Sequence, residues 1–216
     1  MVVWRPFEFF SYIKVEFNMP KEVLFDEDAV MRQATELFWT KGYNGTSMDE
    51  LTRVTGLSRS SIYNSFGGKH ALFMRCLRYY LDDQQRQLYE LAGRVKPVVQ
   101  RIRAAFQYAV EEILADRMRK GCMMVNTTTE MVNQDKEIAA VAADNMERME
   151  GIFTDWIREG QAAGEISKVF APRMLARHLF NTYSGLKVSG KTSPDRKTLE
   201  EIVTVALSVL EGPGAS

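Results

Sequence analysis

Cysteine is nearly absent. Cys76 and Cys122 are the only two, too few for a disulfide framework and without the spacing of a metal site. A reduced, cytoplasmic protein that needs no metal or other cofactor is therefore expected. Histidine is as scarce, with His70 and His178 alone, which removes most acid–base constellations. Six prolines in 216 residues leave helices largely unbroken. Long apolar runs are missing as well. The longest clean one, Ile202 to Leu210, falls far short of the roughly 20 residues of a membrane span. The aromatic opening MVVWRPFEFFSYIKVEF is interrupted by Arg5, Glu8, Lys14 and Glu16, so no signal-peptide hydrophobic core survives. Net charge is lacking too: 28 Lys and Arg face 28 Asp and Glu. The molecule as a whole has no pull on polyanions, and any nucleic-acid binding needs a local patch.

Such a patch exists. From Lys41 to Tyr80 the chain carries Lys41, Arg53, Arg59, Lys69, Arg75 and Arg78 against Asp49 and Glu50, six charges against two, net +4. The remainder must then carry −4. A basic end on an acidic body fits a DNA-facing surface, although charges also cluster by chance.

Apolar spacing is helical nearly throughout. Residues 1–24 are the exception, and an edge strand, an ordered arm or a misassigned start upstream of Met19 would each account for them. From Asp26 onward Val30, Ala34, Leu37 and Phe38 form one face, and Gly42 ends the helix. Thr46 or Ser47 caps a second helix with Asp49 and Glu50 in its first turn, and Gly56 stops it. Ser58 caps a third, with Ile62 and Phe66 inward. Lys69 opens a long helix reaching about Gly93. Pro97 is placed as the first residue of the next, and later helices are expected at about 123–134, 135–164, 171–189 and 195–211. The pattern predicts an all-α fold of about nine helices. Its parts are an N-terminal extension (1–24), a helix-turn-helix domain (25–70) and a helical effector-binding and dimerisation domain (71–216).

The informative stretch is Gly45 to Phe73, GTSMDELTRVTGLSRSSIYNSFGGKHALF. Two short helices joined by a three- or four-residue turn containing glycine make a helix-turn-helix. Gly56 permits the turn, Leu51 and Ile62 lock the helices together, and Ser58 starts the second with Arg59, Ser60, Ser61, Tyr63 and Asn64 free to enter a major groove. Arginine pairs with guanine and asparagine with adenine, while hydroxyls suit phosphate oxygens. The bland alternative is a small solvated helix between turns.

These residues resemble the DNA-binding domain of the Tet repressor (TetR) family. The matching motifs are Gly42-Tyr43-Asn44-Gly45-Thr46, Gly56-Leu57-Ser58, Ile62-Tyr63-Asn64-Ser65-Phe66 and Lys69-His70-Ala71-Leu72. The likeness covers about residues 26–80. More loosely, Gly121-Cys122-Met123 and Gly160 to Ile166 are similar to later family steps. Ser65 stands where many members have histidine, and Thr52 and Thr55 where many have alanine. The resemblance implies a dimeric regulator, commonly a repressor, bound to a palindromic double-stranded operator and released by a small molecule. It marks Thr46 or Ser47, Tyr63 and Lys69 as backbone clamps, and Arg59, Ser60 and Asn64 as base readers.

It also implies that the last two helices form a four-helix bundle across a two-fold axis, with Leu175, Leu179, Tyr183, Leu199, Ile202, Ala206 and Leu210 supplying apolar surface. An effector is expected among the middle helices, where Phe106, Met123, Met124, Met131, Phe153, Trp156 and Phe180 accompany Asn126, Thr127, Thr128 and His178. Of these, Phe106, Met123, Asn126, Thr127, Met131, Phe153, Trp156 and His178 are the expected contacts, though plain core shows the same stripe. The helix from Lys69 is the natural lever between the two functions. A second sensing route is Cys122, whose thiolate would gain from Arg117, Arg119 and Lys120 nearby; Cys76 reads as core.

A catalytic reading finds little. There is no nucleophile elbow, and Gly67-Gly68-Lys69 is no phosphate loop, because Tyr63 stands where its first glycine belongs and His70 follows the lysine. A helical binding protein without DNA contact would need a defaced third helix, and this one is intact.

Overall fold

A computed structural model describes residues 25–92 and 95–211. The expectations for residues 1–24 lie outside this range. Nine α-helices and no strand occur among the described residues: α1 (Glu27–Lys41), α2 (Met48–Thr55), α3 (Arg59–Phe66), α4 (Lys69–Ala92), α5 (Val98–Ala115), α6 (Met123–Met131), α7 (Lys136–Ala162), α8 (Pro172–Thr192) and α9 (Arg196–Ser208). None is long and apolar enough to cross a membrane.

Helix ends follow local chemistry. Asp26 caps α1 by accepting from the Ala29 N–H at 3.0 Å, and Asp135 and Asp195 do the same for α7 and α9. Each satisfies backbone donors that the first turn leaves unpaired. Two boundaries differ from expectation. Pro97 stands at the cap position, not in the first turn. α6 stops at Met131, because the following turn folds back to Asp135, whose N–H reaches the Met131 carbonyl at 3.0 Å.

Two cores result. One is built by α1 to α4 around Phe38, Leu51, Ile62, Leu72, Phe73 and Leu77, and α6 and α7 join it through Met123, Met124, Met131 and Ile138. The other gathers α5, α7, α8 and α9 around Ile102, Phe106, Phe153, Ile157, Leu179 and Leu199. α4 runs from the first core into the second, with Leu72 to Tyr80 in one and Leu88 in the other. Arg101 is buried in the second core, where its guanidinium holds the Glu159 carboxylate at 2.7 and 3.2 Å and the Val95 carbonyl at 3.2 Å. A charge so placed is tolerated because each guanidinium nitrogen has an acceptor and a carboxylate balances it.

The α8–α9 pair corrects one expectation. Leu175, Leu179, Leu199, Ala206 and Leu210 are buried inside their own subunit, and Ile202 and Tyr183 pack against the same core. These side chains help close the subunit, with Ile202 and Tyr183 only partly buried. The outward face of the pair carries Met174, Gly185 and Val188 on α8 and Val205 on α9 instead.

Candidate DNA-binding surface and inner cavity

The helix-turn-helix is assembled by caps on both sides of a glycine. Ser47 and Glu50 form a reciprocal capping box at the start of α2. Gly56 ends α2 at φ 68°, a left-handed conformation that L side chains rarely adopt. After Leu57, which is buried, Ser58 accepts from the Ser61 N–H at 3.0 Å and α3 begins. Leu51 and Ile62 meet with no exposed surface. One side of α3 is therefore fixed by Ile62 and Phe66, and the other leaves Arg59, Ser60, Tyr63 and Asn64 exposed.

Within that surface the side chains already have partners. The Arg59 guanidinium donates to Asp49 on α2 at 2.5 Å, and this neighbour raises its pKa. Both groups are well exposed, so the pair costs little to separate when a base edge competes. Ser58 shares its hydroxyl with Ser60 and Ser61 at 2.8 and 2.9 Å. Lys69, at the start of α4, stands 4.2 Å over the Tyr43 ring, a cation–π contact that aims its ammonium. Thr46 is corrected: it is only 1% exposed, and its hydroxyl donates to the Gly42 carbonyl at 2.7 Å. Its side chain shapes the α1–α2 loop and is not presented to phosphate. Ser47 remains at the surface.

Glu50 ties this module together electrostatically. Its carboxylate takes the Lys41 ammonium and the Ser47 N–H and hydroxyl. The lysine first, then the serine, holds its pKa down to about 2. A depressed carboxylate adds stability that is complete above the ordinary 4.5 and is lost as pH falls toward 2. Glu50→Gln is accordingly expected to flatten the acid limb of melting temperature against pH between those two values, followed by circular dichroism. An acid limb unchanged by the substitution would rule this linkage out.

Sequence reasoning missed how the module is held by the body. Glu130, on α6, accepts the N–H groups of Tyr43 at 3.1 Å and Asn44 at 2.7 Å. A Cβ on Gly42 would stand 2.6 Å from that carboxylate, so glycine there makes room for it. Trp39 donates its indole N–H to the Gly121 carbonyl at 2.8 Å, and His70 pairs with Asp135 at 2.7 Å. These bonds span 65 to 87 residues of chain, and no local periodicity announces them.

The same α6 forms one wall of a cavity of about 590 Å³ between α4, α6, α7 and α8, within the size range of small-molecule sites. Of the expected effector contacts, only His178 lines it. Phe106, Met123, Thr127, Met131, Phe153 and Trp156 are buried in the two cores. Asn126 donates to the Lys120 carbonyl and accepts from Lys191. Their sequence neighbours Met124, Val125, Thr128, Phe180 and Asn181 face the space instead. Cys122 also lines it, half-buried at the start of α6 with Tyr80 beside it. The Lys120 ammonium rests on Glu36 at 2.9 Å and over the Trp39 ring at 4.0 Å. Burial pushes the Cys76 thiol up to about 12; it is inert core.

Residues 30–76 match the family described as bacterial regulatory proteins, tetR family, and residues 98–206 match the tetracyclin repressor-like C-terminal domain. The chain belongs to the TetR family. It is a helix-turn-helix transcriptional regulator, and its family is not one of enzymes. The regulator is 29% identical to the uncharacterized HTH-type transcriptional regulator YezE of Bacillus subtilis over 87% of this chain and 97% of the relative. It is 25% identical to the HTH-type transcriptional repressor DhaR of Mycobacterium sp. strain GP1, over 84% and 90% of the two chains. Among solved structures, a cysteine-substituted CifR regulator complexed with 26 bp double-strand operator DNA shares the fold. Its TM-score is 0.80 at 22% identity, over 88% of this chain and all (100%) of that one.

Proposed function

We propose that this regulator is a cytoplasmic homodimeric repressor, held on a palindromic double-stranded operator through α3 and released when a small molecule fills the inner cavity. One observation carries the reading. An eight-residue helix capped at both ends buries Ile62 and Phe66 and turns Arg59, Ser60, Tyr63 and Asn64 outward in a single stripe. A helix built that way has no packing use for its outer residues. In this reading Arg59, Ser60 and Asn64 address base edges, and Ser47, Ser58, Ser61, Tyr63 and Lys69 address the phosphate backbone. The likeness to DhaR, named a repressor, and to CifR complexed with operator DNA supports both the target and the sign of the output.

The division of labour runs from a DNA module over residues 25–70 to a sensing and dimerising body over residues 71–216. Two copies must place their α3 helices about 34–36 Å apart, or a multiple of that, to read one face of the duplex. The outward α8–α9 face described above is the surface proposed to hold them. Signal passes through α6, which lines the cavity with Met124, Val125 and Thr128 and grips the α1–α2 loop with Glu130. An occupant that shifts α6 therefore drags the loop preceding α2. Complete reversal of occupancy requires about 10⁴-fold preference for the released conformation, about 5.5 kcal/mol.

Paired substitutions test the assignment on DNA. Arg59→Ala is expected to lose about 1–3 kcal/mol on the operator and to relax discrimination at one base position. Lys69→Ala is expected to weaken binding to all sequences alike and to lower the salt slope by about one. Fluorescence anisotropy across a salt series, on operator and scrambled duplexes, reads both. Identical behaviour of the two variants on the two duplexes would contradict the assignment.

A further inference from the structure

The cavity is not uniform along its depth. Its walls are largely apolar, with Leu81, Leu88, Met146, Met149 and Phe180 among them. At the rim Arg148 and Arg177 are 46% and 58% exposed and rest on Asp144 and Glu150 at 2.9 and 3.2 Å, with Arg173 also leaning on Glu150 at 3.7 Å. Water and salt screen charges so placed. The inner end differs. Lys187 lines the cavity yet its side chain is only 8% exposed, and its ammonium is paired with Glu112 from α5.

An ammonium carries three donors. Glu112 is the hydrogen-bond acceptor that Lys187 has among the described residues, and the ammonium also stands 5.8 Å over the Tyr183 ring, which leaves it donor capacity beyond Glu112. Beside it Tyr183 lines the same space with a hydroxyl that has no hydrogen-bond partner among the described residues. Burial, first, and the nearby Glu112 push the Tyr183 pKa up, so that hydroxyl stays a donor. The inner end thus offers several donors. Its formal charge is already zero, because Glu112 balances Lys187. A second carboxylate would set two negative charges against one positive charge away from water, which the low local dielectric penalises. A neutral oxygen acceptor fills the donors without that imbalance.

We propose that the cavity takes an electrically neutral, mainly apolar molecule carrying one carbonyl-class oxygen, received at the inner end by Lys187 and Tyr183. This rests on the effector reading for its biological meaning, but the binding chemistry is separable from DNA release.

The test is isothermal titration calorimetry on the full chain without DNA at neutral pH, using methyl heptyl ketone and nonanoate, which have equal carbon number but a neutral and a negatively charged headgroup respectively. The wild type is expected to bind the ketone at least about tenfold more tightly than the carboxylate, the lower end of what a hydrogen bond to a charged group supplies. Lys187→Met removes the ammonium donors and leaves Glu112 unbalanced, and is expected to weaken the ketone at least about tenfold while nonanoate stays disfavoured. Glu112→Gln leaves the ammonium uncompensated and is expected to reverse the order, so that nonanoate binds more tightly; this decides the matter if the methionine variant does not fold. Tighter nonanoate binding by the wild type, binding of neither probe, or an order unaffected by Glu112→Gln overturns the proposal. A gel shift with the ketone then separates the two readings. Ketone bound without operator release defeats the effector role alone, and release without ketone preference defeats only this inference.

Discussion

Replacing Val188 and Val205 together by glutamate is expected to yield a monomer whose operator affinity is lower by about 10²- to 10⁴-fold, the range that a second tethered half-site contributes. These side chains are 50% and 71% exposed, and Met174 nearby is 59% exposed. All three stand on the outer faces of α8 and α9, opposite the buried Leu175, Leu179, Leu186, Leu199 and Val203. A two-fold interface uses the same patch twice, so two substitutions place four carboxylates about one axis. The fold itself is expected to survive, since neither site touches the core. Light scattering after size exclusion gives the mass, and anisotropy on full and half operators gives the affinity. A variant that stays dimeric with wild-type affinity would move the interface elsewhere.

Phe38→Ala is expected to cost about 3–5 kcal/mol, which in a chain of this size lowers the melting temperature by about 6–20 °C. Phe38 is 1% exposed, lies edge-on to Phe73 at 5.0 Å between centroids and stacks near Tyr43 at 6.4 Å. Its removal leaves a void where α1 and α4 meet, and it undermines the ring on which Lys69 rests. DNA binding is therefore expected to fall with stability. Asn64→Ala makes the contrast: on an exposed face it should leave the melt unchanged while weakening operator binding. Scanning calorimetry beside anisotropy distinguishes the two patterns. A Phe38→Ala protein that melts within two or three degrees of wild type (about 1 kcal/mol) would mean this core collapses around the gap.

The helix-turn-helix was legible because its determinants are local. Caps at Ser47 and Ser58, the stop at Gly56 and the Leu51–Ile62 lock all lie within sixteen residues of one another, and each leaves a mark in composition. The all-α class and the nine helices were legible for the same reason. Thr46 was misread because a threonine before a helix looks the same whether its hydroxyl faces water or a carbonyl four residues back. In α6 the apolar and polar types were right but the face was not. One residue turns a helix by 100°, enough to exchange Met123 for Met124 and Thr127 for Thr128. On α8 and α9 the strongest apolar stripe is the one that closes the subunit, and it hides the weaker outward stripe of Met174, Val188 and Val205. Lys187 and Glu112 lie 75 residues apart, and their pairing follows only from packing α5 against α8.

Glu130 has a consequence for anyone recombining members of this family. The first 80 or so residues look self-contained, yet two backbone amides of their first loop are held by a carboxylate borrowed from far downstream. A graft that joins this reading head to a foreign body inherits those amides without their acceptor, unless an acid is supplied at the matching turn of the new sixth helix. The seam of this molecule therefore runs through a hydrogen bond, and a cut made by counting residues along the chain will miss it.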